Sequence, residues 1–148
     1  MKIAIGTDHR GFTLKEAIIK QLTFAGHAVQ WIDVGCSSLE RCDYPLYTEP
    51  VTELVQKKKV EFGVLLCGSG IGMSIAANRF ADVYAALVWN VQVAQLAREH
   101  NHANILVIPA DFVDEALSFK MIEAWLHAIP QEGRYAERIN YINSWGGI

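Results

Sequence analysis

No apolar run in the 148-residue chain approaches the ~18 residues that cross a bilayer. The opening segment, Met1 to Asp8, has neither the long apolar stretch nor the cleavage site of a secretory leader, so a cytoplasmic location is expected. Cysteine is scarce: Cys36, Cys42 and Cys67 are an odd number and show no CxxC spacing. That pattern suits neither a disulfide framework nor a zinc knuckle, and reduced thiols are expected. With 4 prolines and 11 glycines, the chain is neither collagen-like nor of low complexity. Excess positive charge is also missing, since 13 basic residues against 16 acidic ones leave a net charge of −3. Nucleic acid and membrane are therefore not expected partners. No cluster of carboxylates and imidazoles stands at metal-ligand spacing, so no metal is expected.

What is abundant is apolar side chain, at 51% of residues. That is enough to build one core, and residues 1–148 read as a single domain. Short apolar runs alternate with helical patterns. Strands are expected over 2–6, 28–34, 61–66, 84–88 and 104–108. The first helix carries a capping box at Thr13-Leu14-Lys15-Glu16 and a stripe of Leu14, Ala17, Ile18, Leu22 and Ala25, closed by Gly26. Another helix is expected between Tyr44 and Lys59, and one from the 67–72 loop to about Arg79. Asn90 should cap a helix reaching His100, Asp111 should cap the next, and a last helix covers about 132–144. Strands that are apolar throughout, alternating with helices, predict an α/β fold: a Rossmann-like five-stranded parallel sheet in a three-layer α/β/α sandwich. Ligands bind such sheets beyond the carboxyl ends of the strands. Two polar groups fall there, Thr7-Asp8-His9 and the loop from Cys67 to Gly72.

The Cys67-Gly68-Ser69-Gly70-Ile71-Gly72 loop is the most informative segment. Its glycines leave backbone N–H groups open at a strand-to-helix turn, where negative charge is favoured. Met73 stands where a dinucleotide fingerprint needs glycine, so a nicotinamide cofactor is a poor fit. A thiol beside an anion-stabilising turn suggests a base or nucleophile next to an oxyanion. The bare residues equally allow a small buried cysteine before a tight turn. Asp8 and His9 suit either a substrate hydroxyl or a helix cap. His100 extends the Val93, Leu96, Ala97 stripe and is expected to face inward. Arg134 and Arg138 lie four apart on one helix face, a spacing that can clamp phosphate or simply face solvent. His27, His102, His127, Cys36 and Cys42 read as structural or surface residues.

Taken together, five segments resemble the ribose-5-phosphate isomerase B family, which includes the galactose-6-phosphate isomerase subunits. They are Gly6-Thr7-Asp8-His9 with Gly11-Phe12, Asp43-Tyr44-Pro45, the stretch Cys67 to Asn78, Arg98-Glu99-His100-Asn101, and Gly133-Arg134 with Arg138. The resemblance implies a cofactor-independent aldose–ketose isomerase of a sugar phosphate, ribose 5-phosphate foremost. It implies that Cys67 is the proton-moving base and that the backbone of Gly68, Ser69, Gly70, Ile71 and Gly72 holds the enediolate, with the Ser69 hydroxyl assisting. His100 would open the sugar ring, aided by Asp8; His9, Arg134 and Arg138 would hold phosphate, and Asn101 and Tyr44 sugar hydroxyls. It also implies a homodimer or dimer of dimers with sites shared between subunits, the last helix packing on the partner. The helix from Asn90 independently places His100 at the sheet edge opposite Cys67, which again calls for two chains. One residue departs from the pattern: many relatives carry a phosphate-binding arginine after the fifth strand, where this chain has Asp111. Galactose 6-phosphate, allose 6-phosphate and a tetrose phosphate therefore stand as alternative substrates. A nonenzymatic phosphate-ligand module and a cysteine hydrolase are the rival classes.

Overall fold

The computed structural model describes residues 1–145. Its elements in chain order are β1 (Lys2–Thr7), α1 (Phe12–Ile18), β2 (Thr23–Phe24), β3 (His27–Ala28), β4 (Gln30–Asp33), α2 (Pro45–Gln56), β5 (Phe62–Cys67), α3 (Ile71–Ala77), β6 (Ala85–Leu87), α4 (Val91–Asn101), β7 (Ile105–Pro109), α5 (Glu115–His127) and α6 (Arg134–Asn143). Five strands form one parallel sheet in the order β4-β1-β5-β7-β6. The α/β/α sandwich expected from the apolar runs is present.

Both faces of the sheet are buried, and the pleat divides each strand between them. Ile3, Ile5, Val64, Leu66, Leu106 and Ile108 pack in a core with residues of α1, α4 and α5, including Ile18, Ala94 and Trp125. Ala4, Leu65, Cys67, Ile105 and Val107 face α2 and α3 through Val51, Val55, Met73 and Ala77. The chain leaves β1 toward β4 at one side, then returns to build β5, β7 and β6 on the other. The switch point lies between β1 and β5, where Thr7 pairs with Leu66. Loops leaving these two strands diverge onto opposite faces and open a crevice at the carboxyl edge.

Three local expectations fail. The Thr13 capping box does not form, because α1 already begins at Phe12 with Gly11 at its N-cap and no side-chain cap bond. That start is pinned by the Gly11 N–H donating to the Asp8 carbonyl at 3.3 Å. The helix also stops at Ile18, and Leu22 and Ala25 of the expected stripe leave it. Thr23–Phe24 and His27–Ala28 form a small hairpin turned by Ala25 and Gly26, both with positive φ, so the sheet strand starts at Gln30 rather than Ala28. Asp111 is not a cap either: α5 is capped by Asp114, whose carboxylate accepts the Leu117 N–H at 2.7 Å. Asn90 does cap α4, accepting from Val93 N–H at 2.8 Å.

The β6 edge is closed by a side chain. The Asn78 carboxamide accepts from Ala85 N–H at 2.9 Å and donates to Ala85 carbonyl at 2.8 Å.

Candidate active site

At the carboxyl edge the structure gathers Asp8, His9, Tyr44 and the Cys67 to Gly72 loop. Cys67 ends β5 with its thiol buried. The N–H of Gly70 donates to Cys67 Sγ at 3.2 Å, and the N–H of Ile71 to Ser69 Oγ at 3.3 Å. Gly70 carries φ +75°, and a Cβ there would lie 2.4 Å from Leu87 Cδ1, so this turn requires glycine. Tyr44, preceding α2, lays its ring against Gly72. Asp8 is 6% exposed, and its carboxylate accepts from Arg10 N–H at 2.9 Å. His9 is held by the 36–44 segment: its Nδ1 accepts from Cys42 N–H at 3.3 Å, which leaves the ring proton on Nε2.

The electrostatics of Cys67 set burial against the turn that follows it. A helix N-terminus behind the loop should lower a thiol pKa. Burial instead pushes the Cys67 thiol up, and the N–H groups of Met73, Gly70 and Ser69 only partly offset it. The carboxylate of Asp8 adds to the rise. In the free protein the sulfur is therefore a protonated thiol at neutral pH, with donors already aimed at the thiolate it would become.

A second group lies at the other edge. α4 follows β6 and precedes β7, so its C-terminal end reaches the amino edge of the sheet. There His100 is half-buried rather than facing the core. Its ring stacks on Tyr135 of α6, with centroids 4.2 Å apart and planes 7° from parallel. Arg134 and Arg138 flank the same tyrosine, their guanidinium carbons 5.0 and 6.0 Å from its centroid. Asn101 is exposed beside them at the end of α4. One chain thus brings Cys67, Ser69, Asp8, His9 and Tyr44 together, and does not bring His100, Asn101, Arg134 or Arg138 to them. Among the described residues no three His, Cys, Asp or Glu side chains converge as a metal site would require.

Residues 3–142 match the Ribose/Galactose Isomerase family. The chain belongs to that family. It is 41% identical to ribose-5-phosphate isomerase B of Escherichia coli (strain K12) over 143 residues, 97% of this chain and 95% of that relative. Its fold matches that of Clostridium thermocellum ribose-5-phosphate isomerase B with a TM-score of 0.92 at 39% identity, covering 98% and 97% of the two chains. The Mycoplasma genitalium ribose-5-phosphate isomerase B, solved with ribulose 5-phosphate bound, matches with a TM-score of 0.90 at 35% identity, covering 97% and 95%.

Within this ribose/galactose isomerase domain, sequence reasoning missed three contributors to the two clusters. Arg10 and Asp111 form an ion pair beside Gly68. Tyr135 organises the far cluster, and Cys42 holds His9 through its backbone N–H. Arg10 directly follows Asp8-His9, but nothing in sequence joins it to a residue 101 positions away. Cys42 could have been flagged only by its closeness to Tyr44.

Proposed function

We propose that the protein interconverts ribose 5-phosphate and ribulose 5-phosphate through an enediolate, with Cys67 as the base. The observation that carries this reading is the Cys67 sulfur at the strand end with loop N–H groups aimed at it. Cys67 first gives its thiol proton to solvent; the resulting thiolate removes the C2 proton of the open-chain aldose, and the electron pair moves to form the C1–C2 double bond. The oxygen on C1 takes the negative charge, which the backbone N–H groups of the Gly68 to Gly72 loop and the Ser69 hydroxyl receive. The thiol returns its proton to C1, the O2 proton transfers to O1, and the ketose forms with no net redox change. Asp8 and His100 serve ring opening, Tyr44 and Asn101 sugar hydroxyls, and His9, Arg134 and Arg138 the phosphate.

These roles need two copies of the chain, because His100 and the arginines lie at the edge opposite Cys67. One surface feature supports a homodimer or dimer of dimers with shared sites. Exposed Leu46, Ile71 and Ile75 lie around the glycine loop and α3, where a second copy would close the site from water. The chain's family membership supports the reaction class, and Asp111 favours keeping other sugar phosphates in the test. The experiment measures ketose formation from ribose 5-phosphate, galactose 6-phosphate and allose 6-phosphate. Fastest turnover of ribose 5-phosphate is expected; turnover of none refutes the isomerase reading.

A further inference from the structure

Arg10 is tied to three parts of the crevice at once. Its backbone N–H donates to Asp8 at 2.9 Å. Its Nε donates to Asp111 Oδ2 at 2.8 Å, and Nη2 bonds the same oxygen. Asp111 is itself fixed to the glycine loop, its N–H donating to the Gly68 carbonyl at 3.1 Å, while Ala110 N–H donates to the Cys67 carbonyl at 2.9 Å. The pair lies over Gly68 so closely that a Cβ there would sit 2.7 Å from both Arg10 Nε and Asp111 Oδ2. The guanidinium is therefore held in place across the loop that carries Cys67.

The arrangement does little for the fold. The Arg10 side chain is 54% exposed and Asp111 32%, and exposed ion pairs contribute little to stability. Two of the five guanidinium N–H donors are spent on one carboxylate oxygen, leaving three. A planar fork whose orientation is already fixed matches a phosphate well. The neighbouring cationic groups are occupied or weak. Lys15 is buried and bonded to Asp33 at 2.5 Å and to the Cys36 carbonyl at 3.0 Å. His9 has its Nδ1 occupied by the Cys42 N–H, which leaves only Nε2 for a ligand.

We propose that Arg10, oriented by Asp111, binds the phosphate of the substrate. This rests on the sugar-phosphate isomerase reading and extends it to a residue pair. Asp111 is the positioning partner: it cancels part of the charge but keeps the fork aimed. Removing Arg10 alone would leave the Asp111 carboxylate facing the phosphate, which is worse than removing both.

The test uses the full-length protein as Arg10→Ala, Arg10→Lys and the double variant Arg10→Ala with Asp111→Asn. Binding of inorganic phosphate is measured by calorimetry, and KM and kcat with ribose 5-phosphate. Arg10→Ala should raise both the phosphate Kd and KM about 10- to 100-fold, as for loss of a charge-assisted contact. Its kcat should fall far less, with an unchanged melting temperature. Arg10→Lys should recover part of the affinity, and the double variant should bind phosphate more tightly than Arg10→Ala. If Kd and KM stay within twofold in Arg10→Ala while the wild type turns over substrate, the role of Arg10 is overturned and the isomerase stands. If Arg10→Ala loses phosphate binding but the wild type isomerises no sugar phosphate, the anion site stands and the isomerase reading falls.

Discussion

Cys67→Ala and His100→Ala, each expected to be inactive alone, provide a sharp test of site sharing. α4 starts at the carboxyl edge, and His100 is the tenth of its residues, so a rise of about 1.5 Å per residue carries it roughly 14 Å toward the opposite edge. A base and a ring-opening acid must both reach a single five-carbon sugar. Within one chain they stand on opposite edges of the sheet, whereas a two-fold pairing can bring one chain's Cys67 to the other's His100. Equal amounts of the two variants are denatured together and refolded, and formation of mixed dimers is confirmed by native mass spectrometry. Random pairing makes about half the dimers mixed, and each mixed dimer has one site with both residues and one with neither. Ketose formation from ribose 5-phosphate should then recover to about one quarter of the wild-type rate. The same variants mixed without unfolding should stay inactive until subunits exchange. If mixed dimers are present and activity does not exceed the sum of the separate variants, sharing through His100 is refuted.

Cys67→Ala alone should lower the rate about 10²- to 10⁴-fold with the far-ultraviolet spectrum unchanged, and an alkylating reagent should inactivate the wild type unless substrate is present. Retention of near-full rate in Cys67→Ala removes the cysteine as base. Because burial raises the Cys67 pKa, kcat/KM of the free enzyme should keep climbing to at least about pH 9, near the ordinary thiol pKa. A plateau below about pH 7 contradicts this. The same shift gives stability that is full below the unfolded thiol pKa and is lost as pH rises through the folded one, so Cys67→Ala should flatten that alkaline decline in urea titrations. Gly70→Ala forces a side chain onto φ +75° and against Leu87; it should cost about 1–3 kcal/mol in urea unfolding and displace the N–H that faces Cys67.

The fold was legible wherever a segment's own residues decide its structure. The runs at 3–5, 64–66 and 105–108 are apolar on both pleat faces because helices cover both, and that marks a parallel sheet. Asn90 caps α4 because the bond it makes is local. Errors arose where distant contacts override local preference. Thr13 and Glu16 have the spacing of a cap, but Lys15 between them is buried against Asp33 and Cys36, and the helix is set two residues earlier, from Gly11. Asp111 has the look of a cap three residues before Asp114, yet its partner is Arg10 from the other end of the chain. At the site, the glycine loop announced itself because Gly70 answers to a backbone need. The thiol's rise was not visible, since burial is a property of the assembled layers. The separation of His100 from Cys67 followed from strand order, while its stacking on Tyr135 required α6 in place.

Asn78 has a consequence for how two copies can meet. An outer strand with free N–H and carbonyl groups is a template on which a neighbouring chain can lay its own strand. β6 is three residues long, and alternation leaves Ala85 and Leu87 as its outward-facing backbone. The Asn78 carboxamide occupies both groups of Ala85 as a strand neighbour would, which leaves Leu87 too little ladder to recruit another chain. A ten-stranded continuous sheet across two subunits is therefore closed off at β6. A second copy approaching this edge would have to meet it through side chains rather than through a shared ladder.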